Sequence, residues 1–159
     1  MAILIADSVE VFSSTDLPAI AQLFSAYAAS LPSALSYQDF AAELASLPGK
    51  YASPDGALLI ARDAQGEALG CVAMRPLEPG VCEMKRLYVA PAGRGAGLGR
   101  QLALAIIEAA RVRGYAEMRL DTLASMGEAQ ALYRSLGFTE IGAYYATPVE
   151  GTVFMSLTL

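Results

Sequence analysis

The sequence has no histidine and no tryptophan, only two cysteines, and few charges: Asp, Glu, Lys and Arg make up 17% of its 159 residues. Without histidine there is no Ser-His-Asp or Cys-His nucleophilic triad, so any general base must be a carboxylate, lysine, tyrosine, cysteine or water. Cys71 and Cys82 fall in separate apolar runs, with no C-x-x-C pattern. That argues against a metal site and reads as two reduced core thiols. Basic residues are outnumbered, 11 to 16, for a net charge of -5. A general nucleic-acid binder would want a basic patch, and an anionic membrane surface is disfavoured for the same reason. No apolar run approaches the roughly 18 residues of a membrane-spanning helix. The apolar start, residues 1–6, lacks a basic beginning and meets Asp7 too early for a signal peptide. The expectation is a soluble cytoplasmic protein.

What the sequence does have is apolar content, 55% of the chain, enough for one core and a single domain over residues 1–159. Residues 8–12 alternate and predict a strand. Thr15 or Asp16 then caps a helix to about Ser30, with Pro18 in its first turn and Leu17, Ile20, Ala21, Phe24 and Ala28 as its apolar stripe. A second short helix is predicted over about 37–47, stopped by Pro48-Gly49. Strands at 57–62, 68–75 and 81–90, joined by tight turns, read as an antiparallel meander. A long helix over about 97–113 follows, then a strand at 117–123, a helix at 128–136 and strands at 138–141 and 153–157. The order is βααβββαβαββ. This is an α/β (α+β) arrangement, with one locally parallel strand pair in a mostly antiparallel sheet.

The strand ending at Pro91 runs into Arg94-Gly95-Ala96-Gly97-Leu98-Gly99 and then the long helix. Glycines there let the backbone turn and approach a ligand, and the helix N-terminus offers unpaired N–H groups to an anion. A Walker A loop would need Gly-Lys-Ser/Thr, but Gly99 is followed by Arg100 and Gln101. The dinucleotide pattern G-x-G-x-x-G fails in both registers, and the loop comes too late in the chain for a first βα turn. The pattern R-x-x-G-x-G is matched by Arg94, Gly97 and Gly99.

Here the chain resembles the GCN5-related N-acetyltransferase (GNAT) superfamily. The resemblance rests on Leu87-Tyr88-Val89-Ala90-Pro91 leading into the glycine loop. It rests also on the segment 129–138 with its Leu-Tyr and terminal Gly-Phe, and on the element order over essentially the whole chain. It implies a GNAT-like mixed central sheet with helices on both faces. It further implies that backbone N–H groups of residues 94–99 hold the pyrophosphate of acetyl-CoA. Leu87, Tyr88 and Val89 would bond the pantetheine arm and acetyl carbonyl in a slot between two splayed strands, the second at 118–123. Arg100 would help bind a phosphate, or would be a solvated helix arginine. A homodimer is the family-level expectation.

The resemblance implies that Tyr133 protonates the departing thiolate; the alternative is a half-buried packing tyrosine. Glu83, eleven positions before Arg94, matches the place of a catalytic glutamate in several members. The other reading is a structural ion pair with Lys85 or Arg86. Alternation puts Glu83, Lys85, Leu87 and Val89 on one face. One departure is Met126, where members often carry Asn. Met74, Met84 and Met118 read as core. Acetyl transfer from acetyl-CoA, without a metal, to the amine of a small molecule or amino acid is the expected activity. Tyr27, Tyr37, Tyr51, Tyr144 and Tyr145 are candidate pocket walls, and Lys50, Lys85 or Arg86 candidate carboxylate partners. A non-catalytic acyl-CoA sensor, or acetylation of a protein N-terminus or lysine, are the alternatives.

Overall fold

The computed structural model describes residues 3–5, 9–32 and 39–159. Its sheet has eight strands in the order β1-β2-β3-β4-β5-β6-β8-β7. The strands are β1 (Ile3–Ile5), β2 (Val9–Ser13), β3 (Ala57–Arg62), β4 (Ala68–Glu78), β5 (Val81–Val89), β6 (Glu117–Thr122), β7 (Thr139–Ile141) and β8 (Val153–Thr158). All neighbours are antiparallel except β5 and β6. The predicted architecture is observed, with one strand added at the start. Ile3–Ile5 pairs with Val9–Val11, a segment too short for its periodicity to be read from sequence.

Helix α1 (Leu17–Ser30) begins as expected: Asp16 accepts from the backbone N–H of Ala19 at 3.2 Å, and Pro18 sits in the first turn. Helix α2 (Phe40–Ala45) is shorter than predicted, and the start expected at Tyr37 lies outside the described residues. Helix α3 (Leu98–Val112) and helix α4 (Gly127–Ser135) fall within a residue or two of expectation.

The sheet is buried on both faces. Leu58, Ile60, Cys71 and Ala73 pack against Ile20, Leu23 and Phe24 of α1. Leu59, Val72, Met74, Met84 and Met118 pack against Leu102, Ile106 and Ala110 of α3 and Tyr133 of α4. Two-sided burial explains why β3 reads as an unbroken apolar run. The two cysteines are free and lie one in each core. Burial pushes the Cys82 thiol up to about 12 and holds Cys71 protonated as well.

One irregularity re-aims the site. Cys71 pairs with Tyr88 but Ala73 with Lys85, so β5 carries an extra residue there. Arg86 sits at this bulge with a left-handed φ of 61°, and its carbonyl accepts the Cys71 thiol at 3.3 Å. The expected face is thereby corrected. Cys82 and Met84 point toward α3, Glu83 and Lys85 away from it, and beyond the bulge Leu87 and Val89 return to the α3 side. Strict alternation fails because a bulge inserts a residue that no partner opposes. Among the described residues no helix is long and apolar enough to cross a membrane.

Candidate active site

β5 and β6 pair over three residues only, Val81↔Glu117, Cys82↔Met118 and Glu83↔Arg119. β6 stays bonded to β8 along its whole length, so β5 is the strand that departs. A slot opens between them and runs from one sheet face to the other. Its narrow inner part, about 70 Å³, is lined by Lys85, Arg86, Leu87, Asp121, Thr122 and Tyr133, among others. Its outer part, about 770 Å³, is lined by Leu87, Tyr88, Val89, Arg94, Gly99 and Leu132, with Tyr27 shared by both.

The outer cavity ends at the start of α3. Gly97 is the N-cap residue, at a left-handed φ of 73° that favours glycine, and no side chain caps the helix. The first intrahelical bond runs from Gln101 N to Gly97 O at 3.2 Å, which leaves the N–H groups of Leu98, Gly99 and Arg100 without a helical carbonyl. Unpaired donors and the positive helix end are the features that suit an anion. Arg94 is held beside it by donating its Nε to Val89 O at 3.2 Å. Gly95 and Ala96 are exposed next to it, while the Leu98 side chain is buried in the core, so only its backbone faces outward chemistry. Arg100 donates to Ser135 Oγ at 3.1 Å and is exposed, which ties it to α4.

Tyr133 lies opposite, on the inner face of α4. It is 7% exposed, and burial raises its phenol well above the usual range. Met126, the residue found where the family often has Asn, lines both parts of the slot.

Glu83 sits at the last paired rung, 2% exposed. Its Oε1 accepts from Arg75 Nε at 2.9 Å and its Oε2 from the Tyr144 hydroxyl at 2.5 Å. It is not among the residues lining either part of the slot. Lys85 and Arg86 do line it, but they pair elsewhere. Lys85 Nζ is 3.5 Å from Asp121 Oδ1, and Arg86 makes a two-point contact with Glu43 at 2.9 and 3.1 Å. Asp121, which the sequence reading did not single out, also accepts from the Tyr145 hydroxyl at 2.6 Å. Its only sequence signal was a charge in the alternating strand EMRLDT. Tyr51 is buried and donates to Glu43. Lys50 is exposed and shares a separate cavity of about 320 Å³ with Arg75 and Tyr51. Tyr37 lies outside the described residues.

The family model described as the acetyltransferase (GNAT) family matches residues 18–138. The chain belongs to this family. Relatives agree: it is 46% identical over 126 residues to an uncharacterised N-acetyltransferase of Schizosaccharomyces pombe, covering 79% of this chain and 77% of that one. It is 41% identical over 92 residues to an uncharacterised N-acetyltransferase of Escherichia coli, covering 56% of this chain and 54% of that one. Among solved structures, a Klebsiella pneumoniae protein assigned as an acyl-CoA N-acyltransferase superposes with a TM-score of 0.73 at 31% identity, covering 96% of this chain and 97% of the other. A Salmonella typhimurium protein assigned as an acetyltransferase, solved with acetyl-CoA, shares the fold at 20% identity, with a TM-score of 0.68 and coverage of 96% and 94%. The GNAT sheet, the open slot and the glycine loop are thus parts of an N-acetyltransferase.

Proposed function

We propose that this GNAT chain transfers an acetyl group from acetyl-CoA to the amine of a small molecule such as an amino acid. The observation that carries the reading is the slot between β5 and β6, which opens beyond Glu83↔Arg119 and leads to the uncapped N-terminus of α3. Acetyl-CoA fits this shape. Its pyrophosphate matches the orphan N–H groups of Leu98, Gly99 and Arg100 and the Arg94 guanidinium, and its extended arm matches the edge of Leu87–Val89. The thioester, when bound, supplies an activated acyl group and a thiolate leaving group. The chain's sheet takes strands from both ends of the sequence, in support of one domain.

Tyr133 is our candidate acid. Its phenol stays protonated to high pH because burial penalises the anion, so it can donate to a thiolate that forms beside it. Backbone N–H groups of the departing strand orient the acyl oxygen. Glu83 is engaged by Arg75 and Tyr144, and the role we give it is to hold these two side chains on the acceptor side of the sheet. Lys50 and Arg75 line one cavity, which Asp39 and Glu43 line as well, and these two cations are our candidates for holding an acceptor carboxylate.

Two measurements test the reading. Calorimetry with acetyl-CoA should give a dissociation constant in the micromolar range expected of a cosubstrate. Mixed small amines should release free CoA faster than protein and acetyl-CoA alone. Binding without release would make the chain a sensor, and the absence of both binding and release would sink the proposal.

A further inference from the structure

We propose that Lys85 is a catalytic residue of this acetyl transfer: its amine takes the proton from the acceptor's ammonium, and Asp121 and Tyr145 hold it in place. The inference rests on the acetyltransferase reading above. Four observations support it. Lys85 and Asp121 continue the β5–β6 register past its last backbone bond, so they face one another at the inner end of the slot, where the strands begin to part. Both side chains are nearly enclosed, at 5% and 9% exposure, yet both line the same inner cavity as Tyr133. A buried ion pair is a weak source of stability, so its placement at a reaction slot points to use rather than support. Lastly, the carboxylate expected to act as base, Glu83, has both oxygens occupied outside the slot.

The surroundings suit a lysine base. Desolvation lowers the Lys85 pKa, Asp121 on β6 and Glu83 on β5 oppose that shift, and Arg86 on β5 and Arg75 on β4 reinforce it. Tyr27 of α1 and Tyr133 of α4 share its cavity, and Tyr145 bonds its partner carboxylate. The net direction is downward, which enlarges the neutral, proton-accepting fraction of Lys85 at a given pH.

The protons balance as follows. The acceptor ammonium gives one proton to neutral Lys85. The freed lone pair forms the N–C bond to the acetyl carbon and the C–S bond breaks. The sulfur takes the Tyr133 proton, and the second proton lost by the new amide nitrogen restores Tyr133. Lys85 returns its proton to solvent, so ammonium plus thioester become amide, thiol and one released proton.

The first arm of the test uses the parent protein alone: trace labelling with acetic anhydride across pH, with peptide mass spectrometry reading the titration of Lys85. A midpoint well below that of exposed lysines is expected; a midpoint at or above the usual value, about 10.4, overturns the proposal. The second arm is Lys85→Arg, which keeps the positive charge beside Asp121 but cannot release a proton near neutrality. With a panel of aliphatic amines and amino acids, and free CoA as readout, turnover should fall roughly 100-fold while acetyl-CoA affinity stays within about twofold. Equal turnover across the pH range overturns the assignment. If that variant is unfolded, Lys85→Met with Asp121→Leu removes both charges together and is judged by the same outcomes. Absence of CoA release by the parent protein with every amine is a different failure: it removes the acetyltransferase reading and this proposal with it.

Discussion

The rings of Tyr133 and Phe138 lie 5.7 Å apart, tilted by 59°, across the end of α4. This contact holds the tyrosine ring whatever its hydroxyl does. Tyr133→Phe should therefore leave the melting temperature within a few degrees of the parent. Turnover should drop by roughly 100-fold, the lower end for general acid–base catalysis, with acetyl-CoA affinity little changed. Steady-state kinetics and a thermal melt on one preparation decide this. Near-normal turnover with chemistry rate-limiting would assign Tyr133 to packing alone.

Gly99 separates a ligand contact from backbone strain. A Cβ built there meets nothing closer than Val89 and Leu132, at 3.8 and 3.9 Å, and its φ is ordinary, whereas Gly97 has a left-handed φ of 73°. Gly99→Ala should fold normally, since the added methyl fits and alanine favours the helix. It should weaken acetyl-CoA at least tenfold, about 1.4 kcal/mol, by crowding the pyrophosphate. Calorimetry supplies the check; an unchanged dissociation constant moves the phosphate site elsewhere. Gly97→Val would lower affinity as well, but strain alone would explain that result.

Glu83→Gln should act on stability before it acts on chemistry. The substitution removes a buried charge that Arg75 and Tyr144 both bind. A loss of about 1–3 kcal/mol is expected. The pH–rate profile of the folded variant should run parallel to the parent's, because proton removal belongs to another group. An unchanged melt together with a reshaped acid limb would show instead that Glu83 takes the proton.

Alkaline pH should unfold the protein. Burial raises the pKa of Cys71, Tyr51 and Tyr133 in the folded state, and pushes that of Cys82 up to about 12. Above their ordinary values, about 8.5 for Cys and about 10 for Tyr, the unfolded chain loses these protons and the folded chain keeps them. The folded state then binds more protons, so stability falls as pH rises, by up to about 1.4 kcal/mol per unit for each such group. Urea midpoints at about pH 8 and about pH 10.5 should show a clear decrease. Cys71→Ala should make the decrease shallower. A flat midpoint would mean that these groups ionise inside the fold.

The glycine loop, the α4 tyrosine and the boundaries of α1, α3 and α4 were legible from the chain alone because their causes are local. A cap, a turn glycine or a 3.6-residue stripe acts within a few neighbours, so Asp16, Gly97 and Tyr133 could be placed from sequence. The face of Leu87 and Val89 was not legible, because one extra residue at Arg86 inverts everything after it, and a bulge is a property of two strands together. The partners of the charged residues were equally out of reach. Lys85 meets Asp121, Arg86 meets Glu43 and Glu83 meets Tyr144 across long stretches of chain, in pairings set by sheet register and helix docking. Sequence by itself therefore determined most of the elements, their order after β1 and the glycine turn at the start of α3. Only the tertiary structure decided which carboxylate is spent on an arginine and which charged pair is left facing the slot, because charge partners are chosen by proximity in space.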